Sequence, residues 1–428
     1  MSAAANGVRP LAGLRVIDFG QYIAAPGAGQ NLADLGADVI KVEPLTGDQA
    51  RGIGHFGTAM VRANNRGKRS LAVDLRHPAG HTVARELVAS ADVLLHNFRH
   101  GVSERLGLDP DTLLARHPRL VYGFVTGFGT RGPSARRVGL DIAAQAEFAV
   151  MDVTGEAGGD PQRVGFTIAD VLAAQALTSG VLAALLQRAG TGRGDVVETS
   201  LMEAVVHAQA ATWAEYELTG EAPRRRGNGQ ALAAPAADLV RTRDGGALVV
   251  SAYTTEKFAA LCVAIGRPSL VTDPRFASNP ERVRHREELL DILHRTLGQL
   301  DRTTALEKLR AAGIVCGAVR RFDEVVDDAD VRASGLIAHC SYDPGEGPGG
   351  TAPTTPFSLG GRRPATTPPA PDVGEHTVRV LAELGRSEKE IRALTEAGVV
   401  ACAHAAPTDV SPAAPTDVSP AAPKEQTA

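Results

Sequence analysis

The chain has 428 residues, enough for two or three compact units and a large buried core, and its 45 basic and 49 acidic side chains leave a net charge of −4. That near-balance excludes a global basic field able to hold nucleic acid or an anionic membrane by charge alone, and leaves room for a local cationic site. Hydrophobic residues make up 43% and aromatics 4%, with one Trp, the balance of a soluble globular protein without extensive stacking platforms for bases or sugars.

Up to about residue 200, short β-branched apolar runs alternate with longer helical patterns. Residues 14–19, 38–42, 70–74, 92–95 and 120–125 read as strands, with a helix over 78–90, and 195–199 as a further strand leading into a helix over 201–217. Such alternation predicts an α/β fold with a largely parallel sheet covered by helices on both faces. A linker is expected over 221–237, where Arg224 to Gly229 reads RRRGNG and an Ala/Pro segment follows. Residues 238–330 hold a strand (247–251) and helices (255–266, 284–297, 303–312), a smaller α+β domain. The Gly-, Pro- and Thr-rich stretch 344–371 reads as an extended return crossing before a last helical unit over 375–398. From 405 the sequence AAPTDVSP occurs twice in succession, too polar and proline-rich to bury a core, so a disordered tail is expected over 403–428.

The four cysteines, Cys262, Cys316, Cys340 and Cys402, show no C-x-x-C pair and no Cys/His run at ligand spacing. Reduced thiols in the cytoplasm are expected, and no structural zinc. The first ten residues lack a basic segment followed by an apolar one, and no run reaches about eighteen uninterrupted apolar residues, so neither secretion nor membrane spanning is expected.

Three groups of residues could carry chemistry. Pro26-Gly27-Ala28-Gly29-Gln30 imitates a dinucleotide fingerprint, but Leu32 stands where a third glycine belongs, and a tight turn without ligand is the alternative. Lys68, Arg69, Arg76, Asn97, Phe98, Arg99 and Arg105 lie near predicted strand ends, where converging cations would suit a phosphorylated ligand; the alternative for each cation taken singly is a solvated surface charge. Asp170, immediately before an apolar helix over 171–187, is either its N-cap or a carboxylate kept ionised by the helix N-terminus as a nucleophile. The twelve histidines, among them His55, His96, His207 and His376, offer no clear metal-ligand set and the chain no G-x-S-x-G, so metal and serine-triad hydrolysis are poorly supported.

Residues 11–26 (LAGLRVIDFGQYIAAP), 35–43 (LGADVIKVE), 65–74 (NRGKRSLAVD), 91–98 (ADVLLHNF), 127–133 (GFGTRGP), 195–201 (DVVETSL) and 273–277 (DPRFA) resemble the class III coenzyme A transferase family. That family includes formyl-CoA transferase, CoA transferases of carnitine metabolism and α-methylacyl-CoA racemase. The likeness runs in order from about residue 11 to residue 400. It implies a Rossmann-like large domain (1–220, completed by the crossing and helices of 331–402), a smaller domain, and two ring-like chains interlocked as a homodimer. It implies a CoA thioester as substrate, with no tightly bound cofactor, an acyl-CoA donor and a carboxylate acceptor. By the same resemblance Asp170 is the nucleophile, forming a mixed anhydride and then an aspartyl-CoA thioester. Tyr22, Ile23, Ala24, Val73, Arg76, Asn97, Phe98, Arg99 and Arg105 fall on CoA-binding positions.

Two departures narrow the activity. Ile23 stands where formyl-CoA transferase has a glutamine, and no run of consecutive glycines occurs in the middle region, which puts formyl-CoA and oxalate in doubt. Gly139-Leu140-Asp141 replaces the G-H-D of the racemase branch, and leucine cannot move a proton. The resemblance therefore favours an acyl-CoA:carboxylate CoA-transferase, with an acyl-CoA racemase or isomerase, or a CoA-ester-binding protein without turnover, as alternatives. Asp141 either orients the site or caps a helix running to Met151.

Overall fold

The computed structural model describes residues 8–230, 233–340, 350–363 and 368–403. The six strands expected in the first half form within one or two residues of their expected bounds: β1 (Arg15–Asp18), β2 (Asp38–Glu43), β3 (Arg69–Val73), β4 (Val93–His96), β5 (Val121–Thr126) and β6 (Val196–Ser200). The inner strands are nearly continuous runs of buried residues because helices cover both faces of the sheet, which removes any need for polar alternation.

A second sheet is antiparallel, with β7 (Asp238–Arg241), β8 (Ala247–Ser251) and β9 (Val315–Ala318) in that order. It packs with helices Thr255–Ala264, Arg286–Leu297 and Arg302–Ala311 around its own apolar cluster, centred on Phe258, Leu261, Leu289 and Leu309. Then β10 (Ile337–Cys340) pairs antiparallel with β11 (Gly350–Pro353). The described part of the 344–371 stretch is thus not wholly extended crossing; β11 gives it a hydrogen-bonded strand. The repeat tail from residue 404 lies outside the described residues.

The chain ends its described course at β12 (Val400–Ala401), antiparallel to β3 at the edge of the main sheet, whose order is β12-β3-β2-β1-β4-β5-β6. β1 to β6 run parallel in the doubly wound order, so strand sequence reverses between β1 and β4. One face is covered by α1 (Ala24–Asp34) and the helices Ile168–Thr191 and Leu201–Ala208. After α2 (Gly54–Asn64), α3 (Pro78–Ala89) covers the other face together with Thr377–Glu383 and Glu388–Glu396, through Val83, Leu87, Val380, Leu381 and Ile391.

One helix expectation changes. The helix over 201–217 breaks at Gln209, whose side-chain amide donates to the Phe148 and Val205 carbonyls, and resumes as Ala210–Thr219. Ile168–Thr191 is, among the described residues, the one helix long and apolar enough to cross a membrane. Its Ala173, Leu177 and Val181 are core residues packed on the sheet, while Val171 and Leu186 are exposed.

Candidate active site

In a doubly wound sheet the reversal point opens a crevice at the carboxyl ends of the strands. Here that crevice lies between the turn after β1, containing Tyr22, Ile23 and Ala24, and the loop after β4, containing Asn97, Phe98 and Arg99. Asn97 joins the two, since its Oδ1 accepts from the Gln21 N–H at 2.9 Å and its Nδ2 donates to the Gln21 carbonyl at 2.8 Å. Tyr22 adopts a left-handed backbone, φ +64°, a conformation shared only with Ala149 among the described non-glycine residues. The turn delivers the chain into α1, whose N-terminus no side chain caps and whose first turn holds no acidic residue. Its backbone N–H groups therefore present positive potential at the crevice.

The loop after β4 rests on a buried histidine. His96 Nδ1 accepts from the Phe98 N–H, and its Nε2 meets the Tyr122 hydroxyl at 2.7 Å, which in turn donates to the Leu108 carbonyl. That pattern requires the neutral Nε2–H tautomer, and burial pushes the ring pKa down to about 3. Phe98 stacks on it at 4.7 Å between ring centroids.

The glycines of Pro26-Gly27-Ala28-Gly29-Gln30 lie inside α1 rather than in a phosphate loop or a turn. Their function is clearance: a Cβ on Gly27 would stand 3.0 Å from the Ala174 methyl, and one on Gly29 would stand 2.8 Å from Asp18 Oδ2 and 3.0 Å from Lys68 Nζ.

The cations divide into two sets. Lys68 is wholly buried and spends its three N–H donors on Asp18 at 2.7 Å, the Pro26 carbonyl at 2.8 Å and Asn65 at 3.0 Å. Burial lowers its ammonium to about 8. Arg69 opens β3 and is held by Asp38 and Glu383. Neither is free to meet a ligand at the carboxyl edge. Arg76, by contrast, is 92% exposed just beyond β3, touching Asp74. Arg99 and Arg105 are also exposed, after β4 and at the end of the short helix Val102–Arg105. Val73 is the buried last residue of β3, two strands from the reversal point.

Asp170 is not an N-cap. The helix begins at Ile168 after Thr167, and Asp170 sits in its first turn, where its carboxyl makes no hydrogen bond within the described residues. The capping role passes to Asp141, whose Oδ1 accepts from the Ala169 N–H at 2.8 Å while its Oδ2 accepts from Gln145 at 2.7 Å. Asp141 is itself the first residue of a helix that ends at Glu147, with Ala149 in the left-handed region separating it from Met151. Burial first, and the neighbouring Asp141 charge second, push the Asp170 carboxyl up to about 7. Both effects oppose ionisation, so the carboxyl titrates near neutrality. Val171, the next residue, and Ile23 of the first turn line one cleft of about 160 Å³ between α1 and this helix; Asp170 itself and the loop after β4 are not among its lining residues.

Sequence reading passed over two charged residues beneath the turn, Lys41 and Asp48, both fully buried. The available signal was a lysine in the middle of the otherwise apolar run Val39-Ile40-Lys41-Val42.

Residues 11–377 match the family model described as CoA-transferase family III. The chain belongs to CoA-transferase family III. It is 33% identical over 391 residues to the succinate–glutarate CoA-transferase of Agrobacterium fabrum, covering 89% of this chain and 97% of that one. It is 36% identical over 395 residues to a Mycobacterium tuberculosis protein named "Probable fatty acyl-CoA transferase", covering 88% and 98%. Its fold matches the crystal structure of a CaiB/BaiF family protein from Brucella suis with TM-score 0.79 at 33% identity, over 89% of this chain and all of that one. This family III chain is accordingly a CoA-transferase enzyme of mixed α/β fold, and its substrates are CoA thioesters.

Proposed function

We propose that this family III enzyme is an acyl-CoA:carboxylate CoA-transferase working through Asp170. The observation that carries the reading is a carboxyl without hydrogen-bond partners among the described residues, raised to about 7, on a helix packed beside the uncapped N-terminus of α1. A desolvated carboxylate is a stronger nucleophile than a hydrated one. Its oxygen attacks the donor thioester carbon, the C–S bond breaks, and CoA thiolate leaves an acyl-aspartyl anhydride. The thiolate then attacks the aspartyl carbonyl, releasing the donor carboxylate and forming the aspartyl-CoA thioester. The acceptor carboxylate attacks that thioester, and the thiolate finally takes the acyl group from the second anhydride and restores Asp170. Both anhydrides keep the acyl group activated, provided that water is kept out.

Tyr22, Ile23 and Ala24 would flank the thioester, with Val73, Asn97 and Phe98 as CoA-site walls. Arg76, Arg99 and Arg105, exposed beyond the strand ends, would meet the phosphates. Asp170→Asn should lower turnover by about a thousandfold or more, and the wild-type chain should yield a hydroxylamine-sensitive adduct at Asp170 by mass spectrometry. Turnover near wild type in that variant would sink the reading.

One observation favours a second reading: a carboxyl with a pKa of about 7 suits proton transfer. A racemase or isomerase would exchange the α-proton of a single acyl-CoA in deuterated water without any acceptor. Leu140, 60% exposed beside Asp141, cannot supply the second proton-transfer group.

We also propose the interlocked homodimer, a large domain completed by residues 331–402 with a smaller one over 238–330, and a cytoplasmic setting. The exposed Trp213, Tyr216, Leu218 and Leu186 supply apolar surface for the partner copy. Light scattering should give twice the chain mass, and a monomer at micromolar concentration would end that part of the proposal.

A further inference from the structure

We propose that the buried pair Lys41–Asp48 is a positioning device for the reaction, holding the turn Gly20–Tyr22 in the one geometry that presents Ile23 and Ala24 to the thioester; this rests on the reading of that turn as part of the thioester site. Both side chains have no exposed surface, and Lys41 Nζ lies 2.8 Å from Asp48 Oδ2. Each also reaches a different flank of the turn. Lys41 donates to the Gly20 carbonyl at 2.9 Å, and Asp48 Oδ1 accepts from the Tyr22 N–H at 3.2 Å and the Ala50 N–H at 2.9 Å. Asp18 accepts the Gly20 N–H at 2.8 Å, and Asn97 takes both polar groups of Gln21.

Five backbone groups of three consecutive residues are thus tied to side chains from β1, β2, the loop after β2 and the loop after β4. A left-handed Tyr22 persists only where its surroundings over-determine it, and this set of bonds does so. Cohesion of the core does not require the charges. An apolar pair of equal volume fills such a space with similar stability, because desolvation cancels most of the attraction between buried ions. It could not satisfy the Gly20 carbonyl and the Tyr22 N–H, which would be left buried and unpaired. Although burial opposes it, the Lys41 ammonium and the two N–H groups hold the Asp48 carboxyl below its usual range, so Asp48 stays ionised at neutral pH.

The test compares the wild-type full chain with Asp48→Asn and with the double variant Lys41→Met, Asp48→Asn, which keeps an oxygen for the two N–H groups and strands no charge. The double variant should stay folded with its melting temperature lowered by the one unpaired Gly20 carbonyl, lose about tenfold or more in kcat, and keep its KM for the acceptor carboxylate within roughly threefold, since displaced reacting groups lower rate more than binding. Adduct formation at Asp170 should slow in parallel. A folded double variant with kcat within roughly twofold of wild type overturns the proposal. Should the variants not fold, amide exchange of the wild-type chain decides: Gly20, Gln21 and Tyr22 should exchange as slowly as β1, and loop-like exchange overturns the brace. Failure of the functional reading looks different, because the wild-type chain itself would then transfer no CoA and form no adduct at Asp170.

Discussion

Asp170 and Asp141 show how one residue sets the chemistry of another through two effects at once. Asp141 holds the start of the helix by accepting the Ala169 N–H, and its charge, after burial, raises the Asp170 carboxyl to about 7. The nucleophile must be ionised, so activity should rise with pH through a midpoint near 7 and level off above it. Asp141→Asn keeps an oxygen for the Ala169 N–H and removes the like charge. Its pH–rate limb should move toward lower pH, measured as kcat/KM across pH 5 to 9; an unmoved limb would show that Asp141 acts on the helix alone. Only part of this was legible along the chain. Asp170 was singled out by its place near a helix start and by the family likeness, but its partner is 29 residues earlier in sequence, and no local pattern links them.

At the scale of elements, the position of α1 depends on two glycines that resemble a nucleotide motif and serve packing instead. Introducing alanine into a helix interior is worth about 1 kcal/mol in helix propensity. At Gly29 the added methyl would crowd the buried Asp18–Lys68 pair at 2.8 and 3.0 Å, and overpacking of that kind costs about 1–3 kcal/mol. Gly29→Ala should therefore destabilise. At Gly190, near the end of Ile168–Thr191, nothing lies within 4 Å of the place an added methyl would take, so Gly190→Ala should stabilise by up to about 1 kcal/mol. Urea unfolding of both variants checks the contrast, and equal effects at the two positions would refute the packing account. The strands were legible because β-branched apolar runs of five or six residues mark a sheet covered on both faces. The break at Gln209 was not, because its side chain bonds to the carbonyl of Phe148, far back along the chain.

The whole molecule is closed by its last described residues. Thr377 Oγ1 donates to the Ala401 carbonyl and accepts from the Ala72 N–H, β12 pairs with β3, and Arg15 and Arg69 reach Glu383. Val380, Leu381, Ile391, Val399 and Val400 are buried there. At about 2 kcal/mol each, their burial contributes on the order of 10 kcal/mol, comparable with the whole stability of a folded chain, about 5–15 kcal/mol. Ending the chain before Thr377 should therefore abolish soluble expression. Recovery of a folded, cooperative truncated chain would show that the sheet is stable without its edge.

By itself the sequence determined where the strands run, that the fold is α/β, and which family the chain belongs to, because these depend on local runs and linear motifs. The tertiary structure alone decided which charges are available. Lys68 reads as a ligand cation in Arg66-Gly67-Lys68-Arg69, yet it is consumed by Asp18, 50 residues away. Lys41, which no motif recommends, meets both Asp48 and the turn at the crevice. Burial and the identity of a partner are properties of long-range contacts, and they decide whether a charge binds a ligand, shifts a neighbour's proton, or holds the backbone in place.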